Sequence, residues 1–255
     1  MIVVFSMMRR RADVPLPEFR RHWLDPHGPL VCKFPRLRRY SQNHVIELPA
    51  TSPLARVLRI DGFPELAYDN DADQEVATGS PEMAACDRDS PLFIGAVVRV
   101  VTQENPIIPR PAPTPGLAKL MVVFRRTEDA FQAVRQRFDQ AVRSAVGVTG
   151  FVENKALRQR GPRSAIDVLD VPVDTIMKIW FDNHALWKAR PPAWTLPPKG
   201  RRRSTPSRST TSSRESTGMQ VTGRDAAYPP RTQLRSRSAT VFLLQARVAA
   251  LRRAV

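Results

Sequence analysis

The sequence predicts an α+β protein built from β-α-β-β-α-β units, the ferredoxin-like plait. Three observations carry that expectation. Over residues 2–101 the apolar pattern changes in the order strand, helix, strand, strand, helix, strand. A proline-rich stretch, ENPIIPRPAPTPG at 104–116, reads as a stiff linker. Beyond it LAKLMVVFRR (117–126) echoes IVVFSMMRR (2–10), as though a second unit begins.

Taken in order, residues 2–8 are β-branched and apolar, as in a buried strand. Leu16-Pro17-Glu18 opens a helix, because proline is tolerated at the first helical positions and Glu18 complements the positive end of the dipole. Phe19 and Trp23 form an i,i+4 apolar pair on that helix. Asp25-Pro26 interrupts it and Gly28-Pro29 restarts it, with His27 between them. After Pro35 the period becomes 2. Leu37, Arg39, Ser41, Asn43 and Val45 share one strand face, and Arg38, Tyr40, Gln42, His44 and Ile46 the other. Residues 58–68 read as the next strand, with Asp61, Phe63 and Glu65 on one side; Pro64 predicts a bulge or a sheet edge there. Residues 71–88 form a helix candidate and 92–101 a buried strand.

A four-stranded plait covers only one sheet face with its own helices, so the other face requires a homodimer or an internal copy. In the second run VTGFVENKAL (148–157) parallels LRRYSQNHVI, and DTIMKIWFDN (174–183) parallels DGFPELAYDN. Tyr40 then falls on Phe151, Asn43 on Asn154, His44 on Lys155 and Asp61 on Asp174. The expected organisation is a first domain at 1–103, a linker at 104–116, a degenerate and truncated second domain at 117–189, and a disordered, basic, low-complexity tail at 190–255. Loss of pattern midway through a unit points to a departure of the coding frame near residue 190. Within the tail, only 240–253 has the apolar content to fold, as a strand or a short amphipathic helix.

Composition narrows the function classes. Residues 191–255 hold 13 of the 40 Lys+Arg and 2 of the 24 Asp+Glu, so most of the +16 charge belongs to the tail. The basic character is therefore weak grounds for a nucleic-acid partner. Two cysteines make no disulfide framework and no apolar run reaches a membrane-spanning length, so a soluble, cytoplasmic protein without a membrane partner is expected. The charges Arg9, Arg10 and Arg11 follow the first apolar run rather than preceding it, unlike a signal peptide. The sequence shows neither a glycine-rich phosphate loop nor a His/Cys cluster, so no cofactor and no metal are expected.

Trp23–Leu30 (WLDPHGPL), Arg38–His44 (RRYSQNH) and Asp61–Glu65 (DGFPE) together are similar to the EthD family of the dimeric α/β-barrel superfamily. The resemblance is good over 1–105, weak over 117–188 and absent beyond 190. It implies two plaits facing each other as a barrel, with small organic molecules in the barrel interior. It also implies isomerase- or lyase-type chemistry on a cyclic or aromatic metabolite, or a place in or beside an oxidative catabolic or secondary-metabolic pathway.

Within this frame His27, Tyr40 and His44 are the candidate catalytic groups, and Trp23, Gln42, Asp61 and Glu65 the candidate substrate-binding ones. A histidine with a carboxylate partner is a general acid-base pair, and a phenol can hydrogen-bond a developing enolate. Tyr40 and His44 lie about 13 Å apart along a strand and so cannot touch directly. Each candidate has a structural reading too: His27 as a cap at the helix break, Tyr40 and His44 as buried packing residues, Asp61 and Glu65 as partners of Arg38 or Arg39, and His22 as a surface or helix-packing residue. The alternative function is a non-catalytic small-ligand-binding or accessory protein.

Overall fold

In a computed structural model, residues 1–47, 58–112, 118–125, 131–182 and 241–250 are described. The chain begins with β1 (Ile2–Arg10), followed by α1 (Leu16–His22). No break follows: Trp23–His27 continue as one π-helical turn into α2 (Gly28–Cys32). Pro26 has no N–H to offer, and widening the ladder accommodates it without ending the helix. β2 (Arg39–Glu47) and β3 (Gly62–Tyr68) come next. The helix expected at 71–88 is two: α3 (Asp71–Thr78), capped by Asn70, and α4 (Pro81–Asp89), capped by Ser80 with proline in its first turn. β4 (Ile94–Ile108) closes the first plait, in the sheet order β2-β3-β1-β4.

The second half supplies β5 (Ala118–Arg125), α5 (Phe131–Ser144), β6 (Val148–Arg160), the two-residue β7 (Asp167–Val168), β8 (Val173–Phe181) and β9 (Val241–Ala250). Its strand order, β6-β8-β5-β9, repeats that of the first half. β4 pairs with β6, β2 pairs with β9, and β1 pairs with β4, so eight antiparallel strands form a closed ring. The α+β plaits and the barrel they form within one chain follow the expectation. A ring has no unpaired edge, which removes the exposure a four-stranded sheet would leave.

Three expectations are corrected. Pro64 causes neither bulge nor edge: β3 lies between β1 and β2, its register to β2 runs through the Gln42–Pro64 pair, and its partners on β1 lapse from Glu65 to Gly62, where proline has no N–H to donate. The linker starts later than residue 104, because Glu104–Ile108 extend β4 and pair with β6; Pro106 is followed by a register shift. The stretch after 190 is not wholly tail, and the segment expected to fold within it, 240–253, takes the strand form of the two expected. Residues 241–250 form a strand paired on both sides, in the position a fourth strand of the second plait must take. Residues 113–117, 183–240 and 251–255 lie outside the described residues, as do the linker, second-domain and tail expectations that fall on them.

Deleting residues 241–255 should uncover the facing edges of β2 and β5. The expected result is a melting midpoint lower by roughly 5 °C or more, with concentration-dependent association by sizing chromatography. An unchanged, monomeric melt would show that β9 contributes nothing to the ring.

The ring has two chemically distinct faces. Inward, Glu65 meets Lys119 and Lys178 from the second half, and Lys178 lies over the ring of Phe5. Outward, β1 and β3 present Val4, Met8, Leu66 and Tyr68 to the helices of the first half. In the second half Leu120, Val122, Phe124 and Phe151 pack with Phe138 and Val142 of α5.

Candidate functional site

Between the first sheet and its helices lies a cavity of about 350 Å³. Its walls are mostly apolar and include Val31, Phe34, Leu66 and Met83; polar groups enter from His27, Tyr40, Cys86 and Ser90, and Arg99, Arg160 and Arg163 also line it. The cavity lies outside the ring of strands, under α2, α3 and α4, whereas the barrel interior, where the resemblance puts a ligand, carries the ion pairs of Glu65 with Lys119 and Lys178.

His27 reaches the cavity because the π-helical turn rotates it inward, and it is buried. Its imidazole does not cap the helix. Nδ1 lies 2.8 Å from Asp89 Oδ2, and Nε2 lies 3.4 Å from Cys86 Sγ. The ring meets Phe93 edge-on at 4.9 Å. Asp89 also bonds Nε2 of His22 at 3.1 Å, and His22 stacks on Phe93. Burial alone would raise the Asp89 carboxyl, but the hydrogen bonds from the two histidines outweigh it and hold the group below its ordinary value. Ionised Asp89 accepts the Nδ1 proton of a neutral His27. Cys86 Sγ is also 4.0 Å from Nδ1, so the sulfur sits over the face of the imidazole and not in line with the Nε2 lone pair. Burial pushes the Cys86 thiol up to about 12, so it is protonated at rest and serves as a weak donor.

Tyr40 forms the second polar point. Its hydroxyl accepts from Trp23 Nε1 at 3.2 Å and from Gln42 Nε2 at 2.9 Å. Gln42 also donates to the Trp23 carbonyl at 2.7 Å, and its Oε1 accepts from His44 Nε2 at 3.1 Å. Tyr40 and His44 are thus joined through Gln42 although they cannot touch. With two bonds accepted, the phenol keeps its own proton to donate, and burial raises its pKa above the ordinary tyrosine value. Tyr40 is a hydrogen-bond donor here and not a base at neutral pH.

His44 and Trp23 do not line the cavity; they hold Tyr40 from behind. Their rings lie 4.4 Å apart, and burial, helped by the nearby Arg20 charge, lowers the His44 pKa to about 4. A histidine neutral throughout the physiological range is a support for Gln42 rather than a proton shuttle. Trp23 in turn explains Gly62: a Cβ there would sit 2.4 Å from the indole.

Asp61 and Glu65 are elsewhere. Asp61 accepts from the Arg10 backbone at 3.0 Å and its guanidinium at 2.7 Å, tying β1 to the approach to β3. Glu65 faces the barrel interior, on the opposite side of the sheet from Tyr40. Neither pairs with Arg38 or Arg39, whose partners are Asp69 and Glu104. Sequence reasoning passed over Cys86 and Asp89. Their i,i+3 spacing on α4 places them one turn apart on a common face, which was the available signal.

The segments that build this site also decide the comparison with known proteins. Residues 11–96 match the EthD domain. The EthD match covers α1 to α4, β2 and β3, and stops at the start of β4. No curated protein matches the sequence. Among solved structures, the chain is similar to an anthrone oxidase-like protein, with a TM-score of 0.56 at 12% identity over 98% of this chain and 92% of that one. A monooxygenase candidate from Lactobacillus acidophilus NCFM aligns with a TM-score of 0.42 at 9% identity over 98% and 97% of the two chains. At these identities the first likeness concerns the fold alone and the second carries no argument. Among the described residues, no helix is long and apolar enough to cross a membrane.

Proposed function

We propose that this EthD-domain protein acts on a small cyclic or aromatic metabolite by proton transfer in the helix-side cavity of the first plait, in or beside an oxidative pathway. The observation that carries this reading is that a buried histidine anchored on a carboxylate and a phenol with a free proton open onto one apolar cavity. His27 Nε2 takes a proton from carbon next to a carbonyl, and Asp89 stabilises the imidazolium that forms. Tyr40 donates to the enolate oxygen, and returning the proton to another atom completes an isomerisation or an elimination. Arg99, Arg160 and Arg163 favour substrates with an acidic group, although Arg99 and Arg163 share Asp87 and Arg160 pairs with Glu75.

The second half serves this site as a wall. We read it as a worn copy of the first: Asn43 Nδ2 donates to the Phe63 carbonyl at 2.6 Å, and Asn154 Nδ2 donates to the Ile176 carbonyl at 3.2 Å, the same bond at aligned positions. Phe151 in place of Tyr40 leaves it without the phenol.

Lactones, phenolic acids and quinones are the substrates to screen against the full chain. Tyr40→Phe should lower kcat/KM by about 10²-fold or more while leaving binding within a few-fold, as expected on loss of one oxyanion donor. Binding by wild type without turnover across the panel would sink the enzymatic reading and favour the ligand-binding alternative.

A further inference from the structure

Most polar side chains on the cavity wall already have partners. Gln74 and Thr78 bond each other, Ser90 donates to the Cys86 carbonyl, and Arg99, Arg160 and Arg163 pair with Asp87 or Glu75. Tyr68 differs. It lines the same wall and is 1% exposed, yet its hydroxyl has no partner among the described residues. Ser6 on that wall also lacks one, but its hydroxyl turns about Cβ, whereas a phenol oxygen stands where its packed ring puts it. The Tyr68 ring is held among Phe34, Leu66 and Ala77. A buried hydroxyl left unpaired costs free energy, and folded proteins keep such groups where a ligand or water supplies the missing bond.

Tyr68 and Tyr40 serve the same cavity. Tyr40 of β2 stands opposite Leu66 of β3, so Tyr68, two residues on, is its diagonal neighbour on one sheet face, about 7–8 Å away. Burial raises both phenols, and the buried Cys86 thiol on the cavity wall adds to each shift, so both hydroxyls lie toward the sulfur. Both stay protonated at neutral pH and can donate. Their separation is on the scale of a two-ring compound.

We propose that Tyr68 is a second anchor of this site, its hydroxyl bonding a hydroxyl or carbonyl oxygen remote from the carbonyl held by Tyr40, so that the cavity selects flat ring compounds oxygenated at both ends. The inference rests on the cavity being the substrate site, as the acid-base reading requires. Tyr68 takes no part in proton transfer. It fixes which end of the ring meets His27, because a bond made far from the reacting atoms orients them.

The test is calorimetric titration of the full chain with 2-naphthol and with 2,6-dihydroxynaphthalene, which differ by one hydroxyl at the far end. The second hydroxyl should tighten binding to wild type about tenfold, the worth of one buried hydrogen bond. Tyr68→Phe should abolish that gain and leave the affinity for 2-naphthol, which keeps Tyr40, unchanged. In the ligand-free chain this variant should melt no lower than wild type, because the hydroxyl it removes bonds no protein group. Equal affinities of wild type for the two compounds, a gain that survives Tyr68→Phe, or a melting midpoint lowered by the substitution would each overturn the proposal. The first of these comparisons needs no variant. If 2-naphthol binds and the second hydroxyl adds nothing, the cavity reading stands and only the role of Tyr68 falls. If neither compound binds, the cavity reading falls together with it.

Discussion

Replacing Glu65 by alanine is expected to destabilise the protein by about 3–5 kcal/mol, the range for removing one partner from a buried ion pair. Glu65 is 1% exposed, Lys178 is 0% and Lys119 is 3%. One carboxylate oxygen takes Lys119 and Asn43, and the other takes Lys178 at 3.0 Å. Lys178 continues to Glu104 at 2.9 Å, and Glu104 to Arg39 and Arg110. The network stitches the two halves together inside the ring, so deleting its centre leaves Lys119 with Asn43 but no carboxylate and Lys178 with Glu104 alone, without a hydrophobic gain. Urea melts of wild type and Glu65→Ala would measure the loss. A difference below about 1 kcal/mol would mean that water reaches the lysines.

The same network sets an acid limit. Burial would raise the Glu65 carboxyl, but Lys119, Lys178 and Arg110 outweigh it and hold it well below the ordinary glutamate value; Glu104 is lowered by the same balance. Lys119 is also lowered, to about 8, because burial outweighs the pull of Glu65; at neutral pH it is still protonated. A carboxylate whose folded pKa is depressed adds stability that is fully present above its unfolded value, about 4.3, and is lost as the pH falls toward the folded value. Stability should therefore drop steeply below about pH 4.5, and Glu65→Gln should flatten that dependence.

Turnover is the other place where one residue should matter greatly. His27→Gln is expected to lower kcat on any substrate the wild type converts by about 10²–10⁴-fold, the usual contribution of a positioned general base. Asp89→Asn should lower it less, because the imidazole remains in place but loses the acceptor that fixes its tautomer. His44→Ala should affect KM and kcat only through Tyr40, with no shift in the pH profile, since His44 stays neutral down to about 4. A pH profile altered by His44→Ala and untouched by His27→Gln would invert these roles.

Much of the site was legible in the chain because periodicity governs faces. Tyr40, Gln42 and His44 alternate on a strand, and that alternation put all three on the helix side, away from Asn43. Gln42, between Tyr40 and His44 on the strand, is long enough to bond both. Glu65 was misplaced for a related reason. Its face relative to Phe63 was readable, whereas the side of the sheet on which a ligand would sit was not. Cys86 and Asp89 escaped notice because their partner, His27, lies far away in sequence.

The sequence by itself determined the strand and helix order, the first plait, its EthD likeness and the faces that each strand presents, since all of these follow from local propensity and side-chain alternation. Only the tertiary structure decided which side of the sheet holds the cavity, that Val241–Ala250 closes the ring between β2 and β5, and that the carboxylate beside His27 is Asp89. Those outcomes depend on long-range pairing and on packing of helices over one face, where residues distant in the chain compete for the same buried partners and no local pattern records the winner.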